Sequence, residues 1–455
     1  MNVDTEMDQL LAEVARRAAR YIAGLAVRDV VPRPEELAEL LALGGPFPDG
    51  PLTASAVVGL LDEIGSPATV ASTGGRYFGF VTGGILPAAL GASWLAATWD
   101  QNAALCVMSP VAAALEDAAL VWLRDIFDLP RACGAGFTTG ATMSNFSCLA
   151  AARGELLRRA GWDVEERGLF GAPELTVVVG AEAHVSLRKA LSLLGLGRSR
   201  VSVVPNDDRG RMLSNALPVL DDRTIVCIQA GNVNTGAFDP ATQICAAARE
   251  AGAWVHVDGA FGLWAAASPA RARLLEGVSE ADSWATDCHK WLNVPYDSGL
   301  AFVREAEHLR RAMAVSAGYF SPGETREPSH YTPEMSRRAR GVEVWAALKS
   351  LGRSGLAEMI ERNCRLATRF AEGLSRAGYE IVNRVELNQI LVSFGDSEAN
   401  RRVVTEVQNE GTCWFGTTEW NGRRVVRISV SSWATSEEDV DRSLRAIVRL
   451  ASECG

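Results

Sequence analysis

The run Ala281–Gly299, ADSWATDCHKWLNVPYDSG, begins as a strand-like stretch and closes on a His289-Lys290 pair. A lysine at the end of a strand is well placed to form a Schiff base. Just upstream, Ala253–Phe261 reads AWVHVDGAF, in which His256, Asp258 and Ala260 alternate with Val255, Val257 and Gly259. Strand side chains alternate between faces, so the first three share one. A carboxylate on an otherwise apolar strand costs desolvation energy unless it meets a cation. A protonated pyridine nitrogen is such a cation, and a carboxylate partner keeps it protonated so that the ring can draw electrons from a substrate. Asp258 and Lys290 together therefore point to pyridoxal 5'-phosphate, with Lys290 as its aldimine lysine. The other reading of the two is a buried Asp-Lys ion pair.

Two further segments bear on the choice. Gly136–Arg153, GFTTGATMSNFSCLAAAR, is a glycine turn with small and hydroxyl residues leading into a helical pattern. Free backbone N–H groups, the positive end of the helix and Thr142 as a side-chain donor make such a turn a phosphate site; an ordinary Ser/Thr cap is the alternative. A dinucleotide-binding reading of Gly134, Gly136 and Gly140 fits worse, because the spacing is not GxGxxG and no clear strand precedes it. Leu175–Arg188, LTVVVGAEAHVSLR, is a β-run ending near His184, whose imidazole can stack on a flat ring or serve structure alone.

Taken in this order, the phosphate turn, His184, the HVDGAF strand and the DCHKW lysine resemble the group II pyridoxal-phosphate-dependent amino-acid decarboxylases, a family that includes aromatic-L-amino-acid, glutamate, cysteine-sulfinate and diaminobutyrate decarboxylases. The likeness runs from about Arg76 to the C-terminus. It implies that Lys290 holds the cofactor, Asp258 pairs with the pyridine nitrogen and His184 stacks on the ring. It implies further that Ala141 and Thr142 take the phosphate, Ala260 packs under the ring and His289 sits beside the phosphate or the substrate carboxylate. Asn232, in AGNVNTGAFDP, stands where relatives often have a Thr that contacts the cofactor. Tyr319, in SAGYF, matches by its distance from the lysine the tyrosine that protonates the quinonoid carbon. Arg427, in RVVRISV, falls where relatives keep an arginine near the substrate carboxylate, and Phe80 and Thr82 fall where they line the substrate pocket. The glycines at 79, 83 and 84 imply a roomier or differently shaped pocket, and Trp99–Asn102 offers polar handles. No metal site is expected.

The family likeness also sets the expected architecture: an α/β, fold-type-I pyridoxal enzyme with a mostly parallel, doubly wound sheet and a smaller C-terminal α/β domain. Strands expected at Val177–Gly180, Val201–Pro205, Ile225–Gln229, Trp254–Val257, Ala281–Asp287 and Gly299–Val303 alternate with helices, the pattern of such a sheet. The divisions expected are 1–60 as a helical arm, 61–310 as the cofactor domain, and 311–455 as a mobile loop followed by the small domain. Ser336–Ser350, SRRARGVEVWAALKS, reads as a helix whose arginines face a partner subunit or the phosphate.

At 455 residues with 48% hydrophobic composition the chain can bury a sizeable core. Its net charge of −10 argues against nucleic acid and anionic membranes. Nine scattered cysteines without a CxxC read as reduced thiols in a cytoplasmic protein. By the resemblance, the expected function is decarboxylation of an L-amino acid in a homodimer with shared active sites. Transamination or oxygen-dependent aldehyde formation on the same fold stays open, as, more remotely, does a catalytically silent scaffold. Aromatic and polar or acidic substrates are equally compatible with the sequence.

Overall fold

The computed structural model describes residues 3–315 and 326–454, so Tyr319 lies outside the described residues. Seven strands, β1 (Gly134–Thr138), β2 (Thr176–Gly180), β3 (Val201–Val204), β4 (Thr224–Gln229), β5 (Trp254–Asp258), β6 (Ser283–Asp287) and β7 (Gly299–Val303), form one sheet in the order β1-β7-β6-β5-β4-β2-β3. From β3 to β6 every pairing is parallel. β7 runs antiparallel to both β1 and β6, so these two point the same way and six of the seven strands end on one edge. The Val- and Ile-rich runs of β2, β4 and β5 are buried on both faces, as a sheet covered by helices on each side requires. Val226, Ile228, Val257, Trp284 and Phe302 lie in one core, and Val177, Val179, Ile225, Cys227 and Val303 in the other.

The strands that were expected are present with ends shifted by one or two residues. β1 was not expected, and its existence corrects the statement that no strand precedes the glycine turn. Its sequence, GAGFT, lacks the branched residues that signal a strand; pairing with β7 makes it one. The helix expected from Ser336 starts at Gly341. The preceding arginines are spent within the chain: Arg337 forms a two-bonded, fully buried pair with Glu116 (2.7 and 2.9 Å), Arg340 pairs with Asp297 at 2.9 Å, and Arg338 pairs with Glu343.

A second, antiparallel sheet of β8 (Glu380–Ile381), β9 (Gln389–Ser393), β10 (Gly416–Trp420) and β11 (Arg423–Ser429) has the order β10-β11-β9-β8. Ile390, Val392, Val426 and Ile428 turn one face into a separate apolar core with Phe370 and Ile447. The opposite face carries Thr418 and Arg427, which reach back to Asn234 of the loop after β4. This contact brings the second sheet to the edge where the parallel strands end. Among the described residues no helix is long and apolar enough to cross a membrane.

Candidate active site

Each group expected at the site that is described, apart from Phe80, Thr82 and Arg427, lies at or shortly after the end of a strand or at the start of a helix. β5 ends at Asp258, whose Oδ1 accepts the Ala260 N–H (3.2 Å) and whose Oδ2 accepts the Asn145 amide (3.3 Å). Asp258 is 5% exposed and has no ion-pair partner among the described residues. Lys290 follows β6, and its Nζ pairs with Asp287 Oδ2 at 2.7 Å. The Asp258–Lys290 ion pair that the sequence allowed is therefore not formed, and Asp258 is a buried carboxylate still lacking its cation.

Asp287 was not singled out from the sequence, yet it ties the site together. Its Oδ1 accepts the N–H of Ala141 at 2.5 Å and lies 3.4 Å from His289 Nε2. Its position three residues before the lysine, beside a His, was the available signal. His289 Nδ1 accepts the Ser298 N–H at 3.0 Å, which leaves its proton on Nε2, facing Asp287. Burial pushes the His289 imidazole below its ordinary range, with the Asp287 charge opposing.

The turn into the helix Ala141–Arg159 depends on Gly140, at φ +152°. A Cβ there would come within 2.9 Å of His289 Cε1 and 3.1 Å of Asp287 Oδ1. Only glycine enters this backbone region at little cost and admits the histidine so close. The helix start and the lysine turn are thereby pressed against one another, with Thr142 in the first helical turn.

His184 caps the helix Val185–Leu193, its Nδ1 accepting the Ser186 N–H at 3.2 Å. Its imidazole is held below its usual range chiefly by burial, with Asp258 opposing and Lys290 and Arg427 reinforcing the effect. These mutual influences place His184, Asp258, Lys290 and Arg427, drawn from four separate segments, in one electrostatic field. Arg427 Nη1 bonds Asn234 Oδ1 (3.3 Å) and the Val233 carbonyl (3.4 Å), and no carboxylate pairs with it among the described residues. A half-buried guanidinium with no counter-ion among the described residues can receive an anion.

Asn232 organises its own loop, its Oδ1 accepting the N–H groups of Asn234 (2.9 Å) and Thr235 (3.1 Å), while its buried Nδ2 has no partner. Phe80, 65% exposed at φ +52°, lies 5.2 Å from the ring of Trp414, which stacks on Tyr77 at 4.9 Å. Thr82 is buried, its N–H bonded to the Gly79 carbonyl. The nearby glycines admit close neighbours at their own Cβ positions. A Cβ on Gly83 would fall 1.9 Å from the Lys290 carbonyl oxygen, one on Gly79 2.0 Å from Trp414 and one on Gly84 2.7 Å from Ser432 Oγ. The space they free is filled by the lysine turn and the second sheet. Trp99–Asn102 is likewise used locally: Asp100 ends a helix in the left-handed region, and Asn102 bonds Ser336 and the Arg337 N–H.

If Arg427 receives the substrate carboxylate, Arg427→Gln removes charge-assisted hydrogen bonds worth about 1.5–3 kcal/mol. The expected result is a KM for the amino acid raised about ten- to a hundredfold with kcat much less affected, read from steady-state kinetics. An unchanged KM would reduce Arg427 to a strut between the two sheets.

Comparison with known proteins places this geometry. Residues 64–395 match the model of the pyridoxal-dependent decarboxylase conserved domain. The chain is 26% identical over 355 residues to an aromatic-L-amino-acid decarboxylase of Bacillus atrophaeus, covering 73% of this chain and 72% of that one. It is 29% identical over 330 residues to the acidic amino acid decarboxylase GADL1 of Bos taurus, covering 69% and 62%. In three dimensions it is similar to the crystal structure of Oryza sativa TDC with PLP and tryptamine, at a TM-score of 0.90 and 22% identity over 100% of this chain and 99% of that one.

Proposed function

Because the chain belongs to the pyridoxal-dependent decarboxylases, we propose that it releases the α-carboxyl group of an L-amino acid as CO₂ and yields the amine, with Lys290 holding pyridoxal 5'-phosphate. The observation that carries this reading is a pair of charges left uncompensated among the described residues, the buried Asp258 without a cation and the half-buried Arg427 without an anion, both of which act on His184. A pyridinium and a carboxylate are the complementary charges. The residues present fit the cofactor on that ground, and Gly140 lets His289 come up against the helix start.

Lys290 would hold the cofactor's aldehyde carbon, Asp258 its ring nitrogen, and His184 one ring face, with Ala260 beneath. Ala141 and Thr142 at the helix start would hold the phosphate, with His289 beside it and the Asn232 loop at the ring's edge. When bound, the cofactor supplies an electron sink for the bond broken at the substrate's Cα. Arg427 orients the substrate. A site poor in water favours loss of CO₂, because a carboxylate is less stable there than the neutral product. Tyr319 is assigned the proton that replaces CO₂ at Cα.

The relatives named above act, by their names, on aromatic and on acidic amino acids, and both classes remain candidate substrates here. The proposal includes a homodimer in a cytoplasmic setting. Support for the first comes from apolar side chains left open to solvent, among them Leu41, Phe47 and Val107, and for the second from nine unpaired thiols.

Measuring CO₂, amine, keto acid, aldehyde and peroxide over a panel of amino acids tests the reaction. Amine and CO₂ in equal amounts are expected; keto acid without CO₂ would make the protein an aminotransferase. Tyr319→Phe keeps the ring and removes the donor. Amine formation should fall while aldehyde and peroxide rise under air, and unchanged product ratios would pass the role to Tyr331 or to a partner residue.

A further inference from the structure

Beneath Asp258 lies a run of buried, hydrogen-bonded side chains. Trp254, His256 and Asp258 alternate along β5 and share a face; Ser283 is the register partner of His256 on β6, and Asn145 comes from the second turn of the helix that covers both strands. The distances form a continuous chain: Trp254 Nε1 to Ser283 Oγ, 2.9 Å; Ser283 Oγ to His256 Nδ1, 2.9 Å; His256 Nε2 to Asn145 Oδ1, 2.8 Å; and Asn145 Nδ2 to Asp258 Oδ2, 3.3 Å. Asn145, His256 and Ser283 have no exposed surface.

We propose that Trp254, Ser283, His256 and Asn145 are positioning residues whose one-way hydrogen-bond chain forces the amide N–H of Asn145, and not its oxygen, toward Asp258. The proposal rests on the reading that Asp258 faces the cofactor's ring nitrogen.

The direction follows from chemistry. An indole N–H can donate and cannot accept. It occupies one of the two lone pairs of Ser283 Oγ, and with the serine's own proton given to His256 Nδ1 the chain runs in one direction. An imidazole that accepts at Nδ1 carries its proton at Nε2 when neutral. Burial holds His256 neutral, pushing its pKa down to about 3. Nε2–H therefore donates to Asn145 Oδ1, and the only end of the amide left for Asp258 is the donor. Were the chain reversed, an amide oxygen would confront the carboxylate and turn it away from the position where a ring nitrogen is to be met. The tryptophan, four residues before Asp258 along β5, thus sets the orientation of a carboxylate that it does not touch.

The test begins with the unaltered holoprotein. The chain has five histidines, so nitrogen-15 histidine labelling resolves them by NMR. His256 is expected to be neutral with its proton on Nε2. A proton on Nδ1, or on both nitrogens, overturns the proposal without any variant. Trp254→Phe then keeps the aromatic packing and removes the obligate donor. His256 should become a mixture of tautomers, and the ring-nitrogen signal of bound nitrogen-15 pyridoxal phosphate should move toward the unprotonated position. Cofactor affinity should drop about tenfold, the loss of one well-directed hydrogen bond to a charged group. A folded Trp254→Phe protein with both nitrogen signals unchanged would make the chain mere packing; Ser283→Ala, which cuts the next link, serves if that variant does not fold. A protein that binds no cofactor would defeat the functional reading above, and the His256 tautomer would still decide this one.

Discussion

Replacing Lys290 by alanine should abolish borohydride trapping of pyridoxal phosphate on the chain and lower turnover by roughly 10³-fold or more, since the group that holds the cofactor and exchanges it with the substrate amine is lost. The measurement is unusually clean because the chain contains only three lysines, Lys189, Lys290 and Lys349. Lys189 lies on an exposed helical turn, and Lys349 sits over the ring of Trp122. Mass analysis of peptides after borohydride reduction should find the cofactor on Lys290 alone. Label on either of the other two in the Lys290→Ala protein would move the site. The variant also leaves Asp287 with no partner for its Oδ2, so Asp287→Asn in the same background should restore some of the stability lost to the orphaned carboxylate.

Asp258→Asn should lower kcat by on the order of 10² or more while leaving much of the cofactor affinity, because the phosphate, the lysine and the stacking histidine are untouched. The substitution keeps the shape and removes the charge that a pyridinium would meet. It also sets an amide opposite the Asn145 amide, which can be accommodated only through the remaining carbonyl oxygen. Near-normal turnover in Asp258→Asn would overturn the electron-sink role and leave Asp258 as a structural acceptor at the end of β5. Paired with the tautomer of His256, the same variant tells whether the buried chain answers to the carboxylate or only to its own members.

Much of this was legible in the chain itself. Apolar valine and isoleucine runs marked β2 and β4, because a strand buried on both faces has no polar period to hide, and alternation about Val255 and Val257 marked β5. Asp258 and Lys290 stood out because a charge in apolar surroundings demands a partner, His184 because it ends a β-run, and the Gly140 turn because glycine, small and hydroxyl residues lead into a helical pattern. The likeness to decarboxylases joined these into a site. Other features had no local signature. β1 became a strand only through its antiparallel pairing with β7. Gly79, Gly83 and Gly84, which suggested an open pocket, are also places where Trp414, the Lys290 carbonyl and Ser432 press in. The arginines of 337–340 looked like ligands for something outside and were found paired with Glu116, Glu343 and Asp297, up to 221 residues away in sequence.

What the sequence by itself determined was the strands β2 and β4 to β7, the chemistry of the lysine and the carboxylate, and the face of β5 on which Trp254, His256 and Asp258 sit, since all of these depend on neighbours within a few residues. What only the tertiary structure decided was partnership: that Lys290 pairs with Asp287 rather than Asp258, that Arg427 arrives from a second sheet without a counter-ion, and that Asn145 bridges His256 to Asp258. Hydrogen bonds and ion pairs are fixed at distances near 3 Å, and residues far apart in sequence reach them only after the sheet has set their positions.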